Sequence, residues 1–295
     1  MQMGFERCHP AVNLIFFCAV VAAAVVFTQP VYVALAYVCA FIYSVKRGGK
    51  KALIFDLVLI PLIVIFAYYY SIYTHFGVTV ISINFIGNRM TLESLVFGFI
   101  IGVRAAAVLM WFSCIHSVFS ADKVVYLFGR VSPRLSLFLS ILLRMVPRIK
   151  KEAARIDTAQ KGIGRGHSQG NIFMKIRNCV RIFSMMITWT IEALATASES
   201  MRSRGSMLRG RKAFSIYRFD NRDRSFVVAM FALITVTVMA IMLKQTRALY
   251  SPRISMSPVT TLSYLFYLCY AVFCLMPFAL ELWTEYMFRR ARKTV

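Results

Sequence analysis

Acidic residues are scarce in this chain: 12 Asp and Glu stand against 35 Lys and Arg in 295 residues, a formal net charge of +23. The acids are scattered one at a time, so no carboxylate pair suited to general acid–base work is evident. Only four His occur, His9, His75, His116 and His167. None forms an H-x-x-x-H pair, and metal catalysis therefore lacks ligands at a recognised spacing. The seven Cys (Cys8, Cys18, Cys39, Cys114, Cys179, Cys269, Cys274) contain no C-x-x-C, and most fall inside apolar runs. That pattern argues against a disulfide framework or a zinc site and reads as small apolar packers. No G-x-x-x-x-G-K-[ST] loop is present, which excludes ATP binding by that route. The expectation is a protein that is not an enzyme and carries no cofactor and no metal.

What is abundant is apolar. Hydrophobic residues make up 59% of the chain, charged residues only 16%, and the mean hydropathy is +0.66. Such a composition belongs in lipid. The apolar runs are continuous and long enough to cross a hydrocarbon core of about 30 Å as helices. A β-barrel would instead show alternating segments of about ten residues.

The positive charge is lopsided: 21 of the 35 Lys and Arg lie between Ala121 and Arg224. Most of the rest sit at Lys46–Lys51 and after Phe288, flanking apolar runs. By the positive-inside rule this is topology, with the basic segments cytoplasmic, and not a nucleic-acid surface. The first apolar stretch ends at Gln29-Pro30 and restarts at once, so it reads as a retained helix pair and not a cleaved signal.

Six membrane segments are expected: Ala11–Phe27, Val31–Tyr43, Ala52–Tyr70, Leu95–Val118, Ser225–Leu243 and Thr261–Trp283. Both termini are then expected in the cytoplasm of a multi-pass cell-membrane protein. Lys46-Arg47-Gly48-Gly49-Lys50-Lys51 is the expected cytoplasmic turn between the second and third. Tyr68, Tyr69, Tyr70 and Tyr73 fit an interfacial aromatic belt. Residues Thr74–Arg89, with Gly77, Asn84, Gly87 and Asn88, are expected as an external loop, and Lys244–Pro258 as a second one. Thr91, Glu93 and Ser94 read as a helix start. Arg104 falls at membrane depth, where it needs a partner, expected to be Glu93 or a carbonyl. The domain organisation expected is membrane helices over 1–120, a cytoplasmic coupling-helix domain over 121–224, and membrane helices again over 225–295. The fold class is an all-α polytopic membrane protein with about six transmembrane helices and two long amphipathic cytoplasmic helices.

Those two helices carry the functional signal. In the first, Leu142, Met145, Ile149, Ala153, Ile156 and Ile163 recur at helical spacing while Arg144, Arg148, Lys150, Lys151 and Arg155 fill other faces. In the second, Ile172, Ile176, Val180, Phe183, Ile187, Ile191, Leu194, Ala197 and Met201 form an unbroken stripe of about eight turns. The first ends at Ala159-Gln160-Lys161-Gly162-Ile163-Gly164-Arg165-Gly166, and the second at Met201-Arg202-Ser203-Arg204-Gly205, with Arg209-Gly210 beyond. A cation at a helix C-terminus is favoured by the helix dipole, and glycine lets the chain turn away so that the cation projects. Such ends also occur in ordinary loops and against lipid headgroups. Two in tandem, each closing a long amphipathic stripe, point to a docking surface.

On these residues the chain resembles the transmembrane T component of energy-coupling factor transporters, the family that includes the CbiQ-type cobalt permease subunit. The likeness covers His9-Pro10, Thr74-His75-Phe76-Gly77, Thr91-Leu92-Glu93 before the Arg104 span, and Ser132-Pro133 before Leu143-Arg144-Met145-Val146-Pro147-Arg148. Ala159-Gln160 and Met201-Arg202-Ser203-Arg204-Gly205 complete it, matching the family's paired Ala-Arg-Gly-type motifs. The resemblance implies a scaffold that joins two ABC-type ATPase subunits to a membrane substrate-binding S component, in vitamin or metal-ion uptake. It implies that Ala159, Gln160, Lys161, Gly162, Arg165, Arg202, Arg204 and Gly205 contact the ATPases. The stripe Ile176, Val180, Phe183, Ile187, Ile191 and Leu194 would face the S component. The chain departs from the pattern at Ile163, where the family has Arg, which leaves Lys161 and Arg165 as alternatives for that role. Ser206 also stands where an aromatic is commoner.

Two other classes remain at this point. One is a membrane enzyme on lipid intermediates, for which the isolated acids offer no convergent pocket. The other is a self-sufficient secondary transporter, for which no internal repeat is visible.

Overall fold

The computed structural model describes residues 4–74, 76–83, 89–205, 208, 217 and 219–293. A 3-10 turn over Phe5–Arg7 precedes α1 (Pro10–Val26) and α2 (Pro30–Tyr73). Strands β1 (Val80–Ile83) and β2 (Arg89–Thr91) lead into α3 (Leu92–Val118), α4 (Ala121–Val131), α5 (Pro133–Gly162), α6 (Ile172–Ser203) and α7 (Asn221–Met242). Short strands β3 (Ala248–Leu249) and β4 (Ser255–Met256) come before α8 (Thr261–Lys293). The chain divides into two compact units, one of Met1–Ser120 with Tyr217–Val295 and one of Ala121–Ile216.

The first unit holds α1, α2, α3, α7 and α8. Its helix starts are set locally. His9 caps α1, its Nδ1 accepting from the Ala11 N–H at 3.3 Å, with Pro10 at the first helical position. There a missing N–H costs nothing. Thr91 Oγ1 accepts from the Ser94 N–H at the start of α3, as the sequence suggests. Asp220 and Asp223 form a reciprocal capping box on α7, and Asp223 also accepts from the His9 N–H, so one carboxylate ties the starts of α1 and α7.

The 44 residues of α2 are two helices, not one rod. Gly49 breaks them at φ 59°, ψ −141°, a conformation open to glycine and strained for other residues. The halves fold back on each other, since Ala34, Tyr37 and Val38 line the same apolar hollow as Ile60, Ile63 and Val64. The second and third expected crossings are therefore a helical hairpin turning at the Lys46–Lys51 cluster. α3 packs closely along the second half, where Gly98 and Gly102 lie against Ala67 and Ile63.

An aromatic core joins the crossings. Phe5, Phe16, Phe17, Trp111 and Phe273 are fully or almost fully buried. Phe16 meets Phe5 and Phe273 at centroid distances of 5.3 and 5.4 Å. At the Lys46–Lys51 end, Arg47 pairs with Glu6 and, at 3.5 Å, with Glu281, while Lys46 reaches Glu285 at 2.8 Å. The amino-terminal turn, the α2 bend and α8 are locked together there. At the other end Gln29 donates to the Tyr267 hydroxyl at 2.6 Å, and the Tyr250 hydroxyl donates to the Thr28 carbonyl at 2.8 Å.

Two expectations need correction. The segment Thr74–Arg89 is not all loop, because β1 and β2 pair antiparallel across it, and β3 and β4 pair within the second loop. Val80, Ile81 and Ile83 are β-branched, but four residues are too short a run for alternation to mark a strand. Nor does Glu93 serve Arg104: its carboxylate accepts from the Thr79 N–H at 3.3 Å and from the Thr79 hydroxyl. Among the described residues no carboxylate lies within ion-pair distance of Arg104.

By length and apolarity α2, α3, α6, α7 and α8 are each able to cross a membrane, with α1 shorter at 17 residues. With the α2 hairpin counted as two passes, the protein is an all-α polytopic membrane protein. α6 is the least apolar of the set, at a mean hydropathy of 1.2 against 1.9 to 2.5 for the others, and it carries Lys175, Arg177 and Arg181.

Candidate functional site

The second unit, α4 to α6, carries the basic helix ends. α4 stops at Val131, and Pro133 takes the first position of α5, where its missing N–H costs nothing. α5 turns Met145, which is buried, and Ile149, Ala153, Ile156, Asp157 and Gln160, which are partly buried, toward the interior of the unit. Met145, Ile149, Ala153 and Ile156 of the expected stripe therefore share a covered face, while Leu142 and Ile163 at its two ends are exposed.

α6 differs. Its partly covered side is Ile182, Met185, Met186, Trp189 and Ala193, with Asn178 buried near its start. Gln160 Nε2 meets the Met185 sulfur at 3.7 Å, and the Arg148 guanidinium lies over the Trp189 ring, so this side packs on α5. The stripe Ile176, Val180, Phe183, Ile187, Ile191 and Leu194 runs along another face and is 42 to 63% exposed. Ala197 and Met201, counted with that stripe by spacing, are only partly exposed. The helix thus has two apolar faces, one used within the chain and one uncovered, whereas spacing along the sequence marks a single stripe. Trp189 and Met185 are the signal that reveals the second face.

The first helix end is a folded turn. Gly164 N–H donates to Lys161 O at 3.1 Å and Arg165 N–H to Gln160 O at 2.9 Å, with Gly164 at φ 76°. Asp157 anchors the segment just past the turn: Oδ1 accepts from the His167 N–H at 3.0 Å, and Oδ2 lies 2.8 Å from His167 Nδ1 and 2.7 Å from Lys161 Nζ. The His167 amide, the Lys161 ammonium and the His167 ring together hold the Asp157 carboxyl below the usual carboxylate range. Gly166 is buried, its N–H donating to Gln169 Oε1 at 3.0 Å and its carbonyl accepting from Asn178 Nδ2 at 3.1 Å. Of the residues expected here, Ala159, Lys161, Gly162 and Arg165 are exposed and Gln160 is partly covered.

The second helix end is simpler. Arg204 N–H donates to Ser200 O at 3.3 Å and Gly205 N–H to Arg202 O at 3.0 Å, with Gly205 at φ 76°. The side chains of Arg202 and Arg204 are exposed, and among the described residues no carboxylate pairs with either. Ser206, Arg209 and Gly210, and likewise His75, Asn84, Gly87 and Asn88 of the expected external loop, lie outside the described residues.

The fold does not bring the two ends together. The first turn leads directly into α6 and the second closes it, so they sit at opposite ends of a helix of 32 residues. The first turn lies beside Asn178, which donates to the Gly166 carbonyl, and the 26 residues from there to Arg204 span about 39 Å at 1.5 Å per residue.

A model of the CbiQ cobalt transport protein family matches residues 5–212. The energy-coupling factor transporter transmembrane protein EcfT of Streptococcus thermophilus is 32% identical over 120 residues. That stretch covers 40% of this chain and 45% of the relative, so the match spans less than half the length of either.

Proposed function

The chain belongs to the CbiQ family of cobalt transport proteins, and on that premise we propose that it is the membrane scaffold of an ATP-driven uptake transporter. In this reading two ABC-type ATPase subunits bind the two basic helix ends, and a membrane substrate-binding S component lies on the uncovered stripe of α6. The likeness to EcfT, a transmembrane protein of an energy-coupling factor transporter, supports that class of assembly. The observation that carries the reading is the pair of exposed Arg-bearing turns at opposite ends of one long helix.

The second unit lies on the cytoplasmic side, as do both termini, because the excess of Lys and Arg in 121–224 is the strongest charge bias in the chain. α6 stays out of the bilayer core on this reading, since Lys175, Arg177 and Arg181 sit along its first half. At the second end Arg202 and Arg204 offer forked donors to partner carboxylates or carbonyls, and Gly205 turns the chain out of the way. At the first end the turn from Ala159 to Gly166 presents a cation in the same manner.

An unbroken helix joins the two turns, so their distance along its axis is fixed. ATP-driven closure of the paired ATPases therefore acts by tilting α6, and the stripe carries that tilt to the S component. The transported solute is chosen by the S component, a vitamin or a metal ion by family likeness.

Co-purification of the membrane chain with its ATPases, together with ATP-dependent uptake, tests the docking. Arg204→Ala is expected to lose both, and full retention of assembly and uptake overturns it. Ile187→Glu or Leu194→Glu is expected to release the S component while the ATPases stay bound. A complex that keeps the S component removes the stripe assignment.

A further inference from the structure

We propose that Arg165 is the docking cation of the first helix end, and that Asp157 withdraws Lys161 from that role while holding Arg165 in position. The inference rests on the reading that the helix ends dock ATPases and decides which side chain does so at the first of them.

By sequence Lys161 and Arg165 are equivalent candidates, because each is a cation beside glycine. The geometry separates them. Lys161 Nζ already has a carboxylate at 2.7 Å, supplied by Asp157 one helical turn earlier. A partner acid would have to share the ammonium with that carboxylate, which already offsets its charge. Arg165 has no such neighbour: among the described residues no carboxylate lies within ion-pair distance, and its side chain is exposed.

The backbone around Arg165 is itself fixed. Its own N–H is bonded to Gln160 O, Gly164 before it is bonded to Lys161 O, and Gly166 after it is gripped on both sides by Gln169 and Asn178. Two residues on, the His167 N–H is held by Asp157 Oδ1. The side chain therefore projects from a backbone clamped at each flank, and less freedom is lost when it docks. Ile163 stands two residues away and is 63% exposed. A cation next to an uncovered aliphatic group defines the partner: an ATPase surface with a carboxylate beside an apolar shoulder. Asp157 touches no partner in this scheme and is a positioning residue.

The test is equilibrium binding of purified ATPase subunits to the full chain in lipid nanodiscs. Arg165→Ala is expected to weaken binding tenfold or more, and Arg165→Lys to recover only part of it, since an ammonium lacks the guanidinium fork. Lys161→Met is expected to change affinity less than twofold. Asp157→Asn is expected to weaken binding about threefold in the native background and not at all when Arg165→Ala is already present. A residue with a merely structural role would give losses that add. If Lys161→Met is as damaging as Arg165→Ala, the assignment is overturned. If Arg165→Ala and Arg165→Lys both bind normally while Arg204→Ala loses binding, this assignment falls and the docking reading stands. If none of the three weakens binding, both fall.

Discussion

The guanidinium carbon of Arg148 stands 5.4 Å from the centre of the Trp189 ring and so joins the middle of α5 to the middle of α6. A cation over an indole face at a partly exposed site contributes about 0.5 to 1 kcal/mol. Removing the charge with Arg148→Met is expected to speed amide hydrogen exchange along both helices by roughly two- to fivefold, with membrane insertion unchanged. Unaltered exchange in α6 would show that the ring contact holds nothing.

Asp157 gives the first turn a dependence on acid. Its carboxyl is held below the usual range by the His167 amide, Lys161 and the His167 ring, so its contribution is fully present above the ordinary carboxylate pKa of about 3.9. It is lost as pH falls through the depressed folded value. Asp157 stays ionised from neutrality down to about pH 4, so its protonation is expected to cost the Gly164–His167 amides no protection in that range and to lower it only below. In Asp157→Asn that acid-driven fall disappears and protection is low at every pH.

Arg47 is the hub of the tie among the amino-terminal turn, the α2 bend and α8. Its side chain is 13% exposed, and Glu6 and Glu281 are 15% and 6% exposed. Taking the cation away leaves two nearly buried carboxylates without it, a loss of about 3 kcal/mol. Arg47→Met is expected to lower the thermal midpoint in detergent by several degrees. Arg47→Lys is expected to restore part of it, because one ammonium cannot reach both acids as a planar fork does. Equal midpoints for the native chain and Arg47→Met would refute the tie.

Cys179 lies exposed on α6 and is free, whereas Cys18, also exposed, lies within the apolar α1. A charged, membrane-impermeant thiol reagent is expected to label Cys179 in inside-out vesicles and not in intact cells. Labelling from outside alone would invert the proposed topology.

Much of this architecture was legible in the sequence, because it rests on local rules. The cap at Thr91, the turn at Gly49 and the glycine stops after α5 and α6 are written in residue type and spacing. The apolar runs announce the crossings because lipid leaves no other option for them. What escaped depends on neighbours distant in sequence. Asp157 is one scattered acid among twelve until the turn brings His167 back to it. Glu93 is drawn to Thr79 by a β-hairpin whose second strand ends beside it, and only that pairing takes it from Arg104. The inner face of α6 was hidden because Met185 and Trp189 fall between the stripe positions, and periodicity alone ranks one stripe over the other. Of the candidate site, both turns and the stripe could be located by pattern. The difference between Lys161 and Arg165 could not, because it depends on where one carboxylate points.

The uncovered stripe of α6 has a bearing on how the lone chain behaves. The chain on its own leaves a row of isoleucine, valine, leucine and phenylalanine uncovered along one helix, the kind of surface that holdase chaperones recognise. Left uncovered, that row makes α6 the part of the chain most prone to unspecific association.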